Sequence, residues 1–305
     1  MIYYLHLKTK KRKPLSRDIC NLDIEEAVEK TLLYYKLFNS GISENLLHSF
    51  LLDCKVSRDE LDDVVKSLLD KKTVGISDGI VYLNKKIESF YKPKPLINNV
   101  RPTKKLLRLL RRMPFISAIA FSGGTANYGL ENHDDIDLFI ITKPFTVYIV
   151  YFLIHVASLL LKSRKILCIN YLVDETALQI RIQRDLFTAN QIIALKPFKN
   201  ESFLHYFLNN NNWIVGHYPN YSIPETNHTG SSGIYSAFRP LNYLIRLLYR
   251  FRYKQYLLRL EEGSVILSES IIKLHTTDYR SKIIREFQKQ WNRYTSEKQK
   301  VPLTN

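Results

Sequence analysis

The chain has 305 residues, 45% of them hydrophobic, and a formal net charge of +16. That length is a prior for two domains or three small modules, and the apolar fraction is that of an ordinary globular chain. Its three cysteines, Cys20, Cys54 and Cys168, are odd in number and widely spaced, which excludes a Cys/His zinc module. Cys54 and Cys168 fall in apolar segments and read as buried free thiols, so a reducing, cytoplasmic compartment is expected. The excess positive charge asks for an anionic partner larger than a nucleotide: RNA, DNA, a membrane surface or an acidic acceptor. A Lys-rich composition without any such partner is the plainer alternative.

Residues 1–21 are a basic segment, with Lys8 and the run 10–13 at its centre. The opening apolar residues, Met1 to Leu5, are too few for a signal peptide. Residues 24–38 follow a helical pattern through Ile24, Ala27, Val28, Leu32 and Leu33, and Ser40-Gly41 ends it. Ile42-Ser43 begins a second unit, in which Ser43 is placed to cap a short helix over 44–52. Ser57 and Glu60 have capping-box spacing and open a third helix to about Asp70. Two short apolar runs, 73–76 and 80–83, flank Ser77-Asp78-Gly79, which is a hairpin signal. Three helices and a hairpin predict a winged-helix module over 22–90. Its third helix would read a DNA groove if the module bound DNA. The expected surface of that helix, Arg58, Asp59, Asp62, Asp63 and Lys66, is mixed in sign, which favours a scaffold role.

A linker around 91–95 precedes a basic helix over 103–112, whose leucines can pack on a sheet while its Lys and Arg stay solvated. Residues 115–121 read as a strand, 136–142 as a second and 165–173 as a third. The uncharged stretch 145–161 falls short of the roughly 20 residues a bilayer span needs and reads as a buried helix. A helix over 201–212 is followed by a Pro-, Gly-, Ser- and Asn-rich stretch, 219–233, which predicts a mobile loop. Pro240 suits the first turn of a long helix reaching about Glu262. Leu241, Leu244, Leu247, Leu248 and Phe251 make its apolar face, and Arg246, Arg250 and Lys254 a basic stripe that is either solvated or tracks an RNA backbone. A final helix spans 277–294, with Ile283, Phe287 and Trp291 on its apolar side. His275, just before it, reads as structural.

The chemistry is concentrated between the first two central strands. The first strand runs into Ser122-Gly123-Gly124-Thr125, and Asp135 and Asp137 flank the start of the second. Two glycines let a backbone turn sharply and approach a ligand closely. If a helix starts near Thr125, its N–H groups can face phosphate, and Ser122 and Thr125 add hydroxyl donors. Positions i and i+2 of a strand project to one face, about 6.6 Å apart along the chain. Two carboxylates so placed repel unless a cation lies between them. Mg²⁺, which takes one or two carboxylates and completes its shell with water and phosphate oxygens, is the natural ion. Either feature alone is usually a turn or a solvated strand end; their conjunction is what points to a site.

At these residues the chain resembles the DNA polymerase β-type nucleotidyltransferase superfamily, whose motif pairs a small-residue turn with an Asp-x-Asp or Asp-x-Glu about nine to thirteen residues on. Gly123, Gly124, Asp135 and Asp137 match it. Further along, residues 184–189 and 211–214 look similar to bacterial members with a winged-helix N-terminus. The resemblance implies an α+β fold: a winged-helix module over 22–90, a polymerase β-like mixed sheet with helices over 98–200, and a helical region over 201–305 that completes the cleft. It implies transfer of a nucleoside monophosphate from a nucleoside triphosphate, ATP as first choice, to an unidentified acceptor such as RNA, a protein or a small molecule. Asp135 and Asp137 would hold Mg²⁺ or Mn²⁺, and Ser122, Gly123, Gly124 and Thr125 the triphosphate. The superfamily usually adds a third carboxylate on a later strand. By alternation Cys168, Asn170, Leu172 and Asp174 share one face of the third strand, so Asn170 and Asp174 are the two candidates. The competing expectation is a non-enzymatic nucleic-acid-binding or nucleotide-sensing protein with a relic core.

Overall fold

The computed structural model describes residues 22–84, 100–128, 135–164, 166–226, 233–255, 265–274 and 279–300. The basic run 8–13, Cys20, the linker 91–95, the strand start at Lys165, the tip of the loop at 227–232, the predicted helical stretch 256–262 and His275 lie outside them.

The N-terminal elements are α1 (Ile24–Lys36), β1 (Ile42–Ser43), α2 (Glu44–Leu47), α3 (Arg58–Asp70), β2 (Val74–Ser77) and β3 (Ile80–Leu83). Asp78 and Gly79 both take positive φ, at 51° and 70°, as a two-residue hairpin turn with the right twist requires. Strand β3 is the centre of a three-stranded antiparallel sheet, ordered β1-β3-β2. The capping box at Ser57 and Glu60 is present in both directions. Ser43 makes no side-chain cap, and α2 is far shorter than 44–52. The reason is that Ser43 pairs with Ile80 in β1, and the Glu44 N–H is taken by the Gly79 carbonyl instead. The outer surface of α3 neutralises itself through Arg58–Asp62 and Lys66–Asp63 ion pairs.

The central elements are α4 (Val100–Arg112), β4 (Ile116–Phe121), α5 (Gly123–Tyr128), β5 (Ile136–Thr142), α6 (Val147–Leu160), β6 (Leu167–Asp174), α7 (Leu186–Ile193), β7 (Lys196–Lys199) and α8 (Glu201–Asn209). They are followed by α9 (Arg239–Arg252), β8 (Val265–Leu267), β9 (Ile271–Leu274) and α10 (Tyr279–Lys300). Six strands form one mixed sheet in the order β7-β4-β5-β6-β9-β8. Among the described residues only β5 and β6 run parallel, joined by α6 as the crossover. Strand β5 is buried along its whole length, which explains its near-continuous apolar run. Leu138 and Ile140 face a cluster containing Leu106, Leu110, Tyr148 and Ile154, so α4 and α6 cover that side with α9 beside them. Phe139 and Ile141 face the other cluster, with Phe203, Phe207, Ile192 and the N-terminal Leu32, Leu61 and Val81. The N-terminal module and the α7–α8 side of the sheet therefore share one core.

Asn211 ties this side together. Its amide donates to the Leu178 and Phe207 carbonyls at 2.8 and 2.9 Å, and its oxygen accepts from the Ile180 N–H at 2.8 Å and Trp213 Nε1 at 3.2 Å. Asn211→Ala would leave those buried backbone groups unpaired, and we expect a loss of about 2 kcal/mol, read as a lowered urea midpoint at unchanged slope.

Two expectations do not hold. Cys54 is disulfide-bonded while Cys168 is free, so the paired free thiols that suggested a reducing compartment are not both present. The described part of 219–233 is docked rather than mobile: Asn220 accepts from the Val56 N–H at 3.0 Å and donates to the Cys54 carbonyl at 2.8 Å, and the neighbouring Tyr218 is fully buried. The C-terminal region is helical as expected, and between its helices β8 and β9 return to the sheet, where β9 pairs with β6.

Helix α9 lies the other way round from its leucine pattern. Leu241, Leu244, Leu247, Leu248 and Phe251 are exposed, and Asn242, Ile245 and Tyr249 face inward. Asn242 fixes this orientation: its oxygen accepts from the Tyr148 N–H at 2.8 Å, in the first turn of α6, where the helix has no partner of its own. Arg246 is drawn in beside the Tyr148 hydroxyl, which breaks the predicted Arg246–Arg250–Lys254 stripe. Helix α6 is likewise buried only on one side, with Phe152, Leu153, Leu159 and Leu160 exposed on the other. No helix among the described residues is long and apolar enough to cross a membrane.

Candidate active site

Strands β4 and β5 run antiparallel with Phe121 opposite Leu138, so the end of one strand meets the start of the other. Ser122 extends that ladder, its N–H donating to the Asp137 carbonyl at 3.0 Å. At Gly123 the backbone takes φ +51°, and α5 starts there, two residues ahead of Thr125. An added Cβ at Gly123 would lie 2.6 Å from Asp137 Oδ2 and 3.2 Å from Asn170 Nδ2. Only glycine therefore fits between the turn and these side chains. The next residue, Gly124, donates its N–H to Asp137 Oδ2 at 3.0 Å.

The predicted carboxylates come together. Asp135, Asp137 and Cys168 each bring one ligand atom into a group in which all lie within 4.8 Å of one another. Asp137 is largely buried and Asp135 half-buried. Cys168 was expected only as a buried thiol; it reaches the site because Asp137 and Cys168 are register partners on the parallel pair β5–β6. The signal available in the sequence was its position two residues before Asn170. Burial pushes the Cys168 thiol up to about 12, and the Asp137 and Asp135 carboxylates add to the effect.

The hydroxyls serve the backbone. Thr125 is buried, its Oγ1 accepting from the Asp137 N–H at 2.9 Å and donating to the Asp135 carbonyl at 3.3 Å, so it staples α5 to the start of β5. Ser122 is buried as well, its Oγ accepting from Asn170 Nδ2 at 3.1 Å. Asn170 Oδ1 in turn accepts from Cys168 Sγ at 3.3 Å. These contacts hold the turn in shape and place neither hydroxyl in the open.

The third-position candidates separate. The β5–β6 register shifts by one residue between the pairs Leu138–Ile169 and Phe139–Tyr171, leaving Asn170 as the extra residue. Such a bulge breaks the two-residue alternation. Cys168 and Asn170 stay on the side of Asp137, while Leu172 turns to the opposite cluster and Asp174 follows it. Asp174 pairs with Thr142 at the far end of β5, about 16 Å along the strands from Asp137. There its carboxylate accepts from the Phe145 and Thr176 N–H groups at 3.1 and 2.9 Å, and burial pushes its pKa up. Asp174 is a strand-end cap and not part of the carboxylate group. Asn170 is next to the site, as a neutral amide.

Comparisons with protein-family models, curated proteins and solved structures found no match. The donor set therefore stands on its own chemistry. Two carboxylates suit a hard divalent ion such as Mg²⁺ or Mn²⁺, and a thiol suits a softer one such as Zn²⁺. Asp135 and Asp137 can hold the hard ion without help from Cys168, since Mg²⁺ commonly uses one or two carboxylates and leaves the other positions to water and phosphate.

Proposed function

We propose that the chain is a metal-dependent nucleotidyltransferase with a winged-helix-like N-terminal module serving as scaffold. One observation carries the reading: a glycine turn at the end of β4 is folded directly against the carboxylate pair at the start of β5, with the Gly124 N–H on Asp137 Oδ2. Phosphoryl transfer needs little covalent help from a protein and much positioning and charge. Asp135 and Asp137 supply the negative charge that holds a divalent cation, and the cation would neutralise the triphosphate it shares with them. Gly123 keeps side-chain bulk away from the Asp137 carboxylate. Asn170 and Thr125 hold the turn and the strand in register. In the net reaction an acceptor oxygen or nitrogen bonds to the α-phosphorus, the bond from the α-phosphorus to its bridging oxygen breaks, and pyrophosphate leaves with that oxygen while the acceptor's proton passes to solvent. The self-neutralised surface of α3 supports the scaffold role over groove reading. A cytoplasmic location is proposed on triphosphate supply alone.

A second reading has its own observation. Cys168, not a carboxylate, completes the group with Asp135 and Asp137, and Asn170 beside it is a neutral amide, which leaves no third carboxylate to act as base and favours a nucleotide sensor that binds without turnover. Thermal unfolding with ATP, GTP, CTP and UTP, with and without Mg²⁺, tests both. Ligand at about 100 times its Kd stabilises by about 2.7 kcal/mol, a shift of several degrees. A Mg²⁺-dependent shift with one nucleotide is the expected result for either reading, and pyrophosphate release in an acceptor screen then selects the enzyme. No shift with any nucleotide would remove both.

A further inference from the structure

We infer that the layer of α4, α6 and α9 docks on an anionic membrane surface, with α9 lying in the lipid–water interface. The apolar row of α9 faces away from the protein: Leu244 is 60% exposed, Leu248 72% and Phe251 84%. On α6, packed beside it, Leu160 is 78% exposed. Exposed leucine and phenylalanine in one row mark an interaction surface. The orientation is specified rather than incidental, because turning α9 over to bury its leucines would break the Asn242 contact with the Tyr148 N–H.

Charge decides what the layer meets. The sequences of α4, α6 and α9 contain no Asp or Glu. Lys104, Lys105 and Arg108 of α4 are exposed, as are Arg250 and Arg252 at the end of α9 and Lys254 just beyond it. A second copy of the chain seated on this face would set arginine against arginine. A nucleic acid would meet the arginines and stack a base on Phe251, but gains nothing from the exposed leucines Leu244, Leu248 and Leu160. An anionic bilayer rewards both, since apolar side chains enter the acyl boundary while Lys and Arg hold the headgroups. The half-exposed Tyr243, with an apolar ring and a polar tip, suits the same depth. The inference is independent of the catalytic reading: Asp137 lies on the other face of the sheet, with Phe139.

The test is co-sedimentation of the full chain with vesicles of phosphatidylcholine and of phosphatidylcholine with phosphatidylserine. The chain is expected to pellet with the anionic vesicles and to remain in solution with the neutral ones. Leu248→Asn with Phe251→Asn should weaken anionic-vesicle binding about tenfold, with the urea midpoint lowered only slightly, by helix propensity, because both side chains start exposed. Arg250→Gln with Arg252→Gln should weaken it as well, and raised salt should do the same to the wild type. Absence of wild-type binding to anionic vesicles overturns the inference. Equal binding by the Leu248/Phe251 variant also overturns it and leaves a purely electrostatic surface of the kind nucleic acid would use. A wild-type dimer in equilibrium centrifugation that the Leu248/Phe251 variant converts to monomer assigns the face to a second copy instead.

Discussion

Replacing Asp135 and Asp137 together by asparagine is expected to abolish the proposed nucleotide transfer, by about a thousandfold or more, while the chain stays folded. The size follows from the reaction: phosphoryl transfer relies on charge placed before the substrate arrives, and loss of such a preorganised group costs about 10²–10³ in rate even when the group is uncharged. The fold should survive because asparagine keeps the shape, and because the change removes two like charges whose ligand atoms lie within 4.8 Å of each other and of Cys168. The thermal midpoint without metal should therefore stay the same or rise, and the Mg²⁺-dependent shift with nucleotide should vanish. Each single variant separates the roles: Asp137 also accepts the Gly124 N–H at 3.0 Å, so Asp137→Asn should disturb the turn more than Asp135→Asn. Normal transfer by the double variant, measured as pyrophosphate release, would show that the site is elsewhere.

Gly123→Ala should cost about 3 kcal/mol of stability and, with it, metal binding. A left-handed backbone costs an L-residue about 1–2 kcal/mol, and forcing a methyl into a filled space costs about 1–3 more. Here the residue has φ +51° and the methyl meets Asp137 Oδ2 at 2.6 Å and Asp137 Cγ at 3.1 Å. The obstacle is the carboxylate of the site itself, so relief of the clash displaces Asp137 from its place in the group with Asp135 and Cys168. Urea unfolding gives the stability, and Mn²⁺ titration gives the metal affinity. Gly216→Ala is the control, because an added Cβ there meets nothing within 4 Å. Equal unfolding midpoints for the two variants would mean that the turn at Gly123 is not held against Asp137 as described.

Much of the element order was legible from local signals. Strand β5 with Asp137 in it and Asp135 just before it, the hairpin at Asp78-Gly79, the capping box at Ser57 and the leucines of α4 each rest on patterns that neighbours in sequence impose on one another. An apolar run bounded by Lys143-Pro144, a pair of residues suited to positive φ, and a hydroxyl three residues before a glutamate act over a single turn or strand. The meeting of Asp135, Asp137 and the Gly123–Gly124 turn was legible for the same reason: one short connection joins two adjacent antiparallel strands.

Tertiary structure decided what depends on counting across strands or on which surface meets which. Alternation places Asp174 beside Asn170, but one extra residue at Asn170 turns Asp174 to the opposite face, and a bulge leaves no mark on composition. Thr125 has the chemistry of a phosphate donor, yet its hydroxyl is taken by the Asp135 carbonyl and the Asp137 N–H at the start of β5. The amphipathic pattern of α9 correctly names a helix with an apolar row, but not the direction in which that row points. Asn242 sets that direction by satisfying a free N–H of α6, a partner 94 residues distant in sequence. The sequence alone thus determined which side chains travel together on one strand or one helix face. Where those faces point was settled by polar groups that had to find partners once the layers closed.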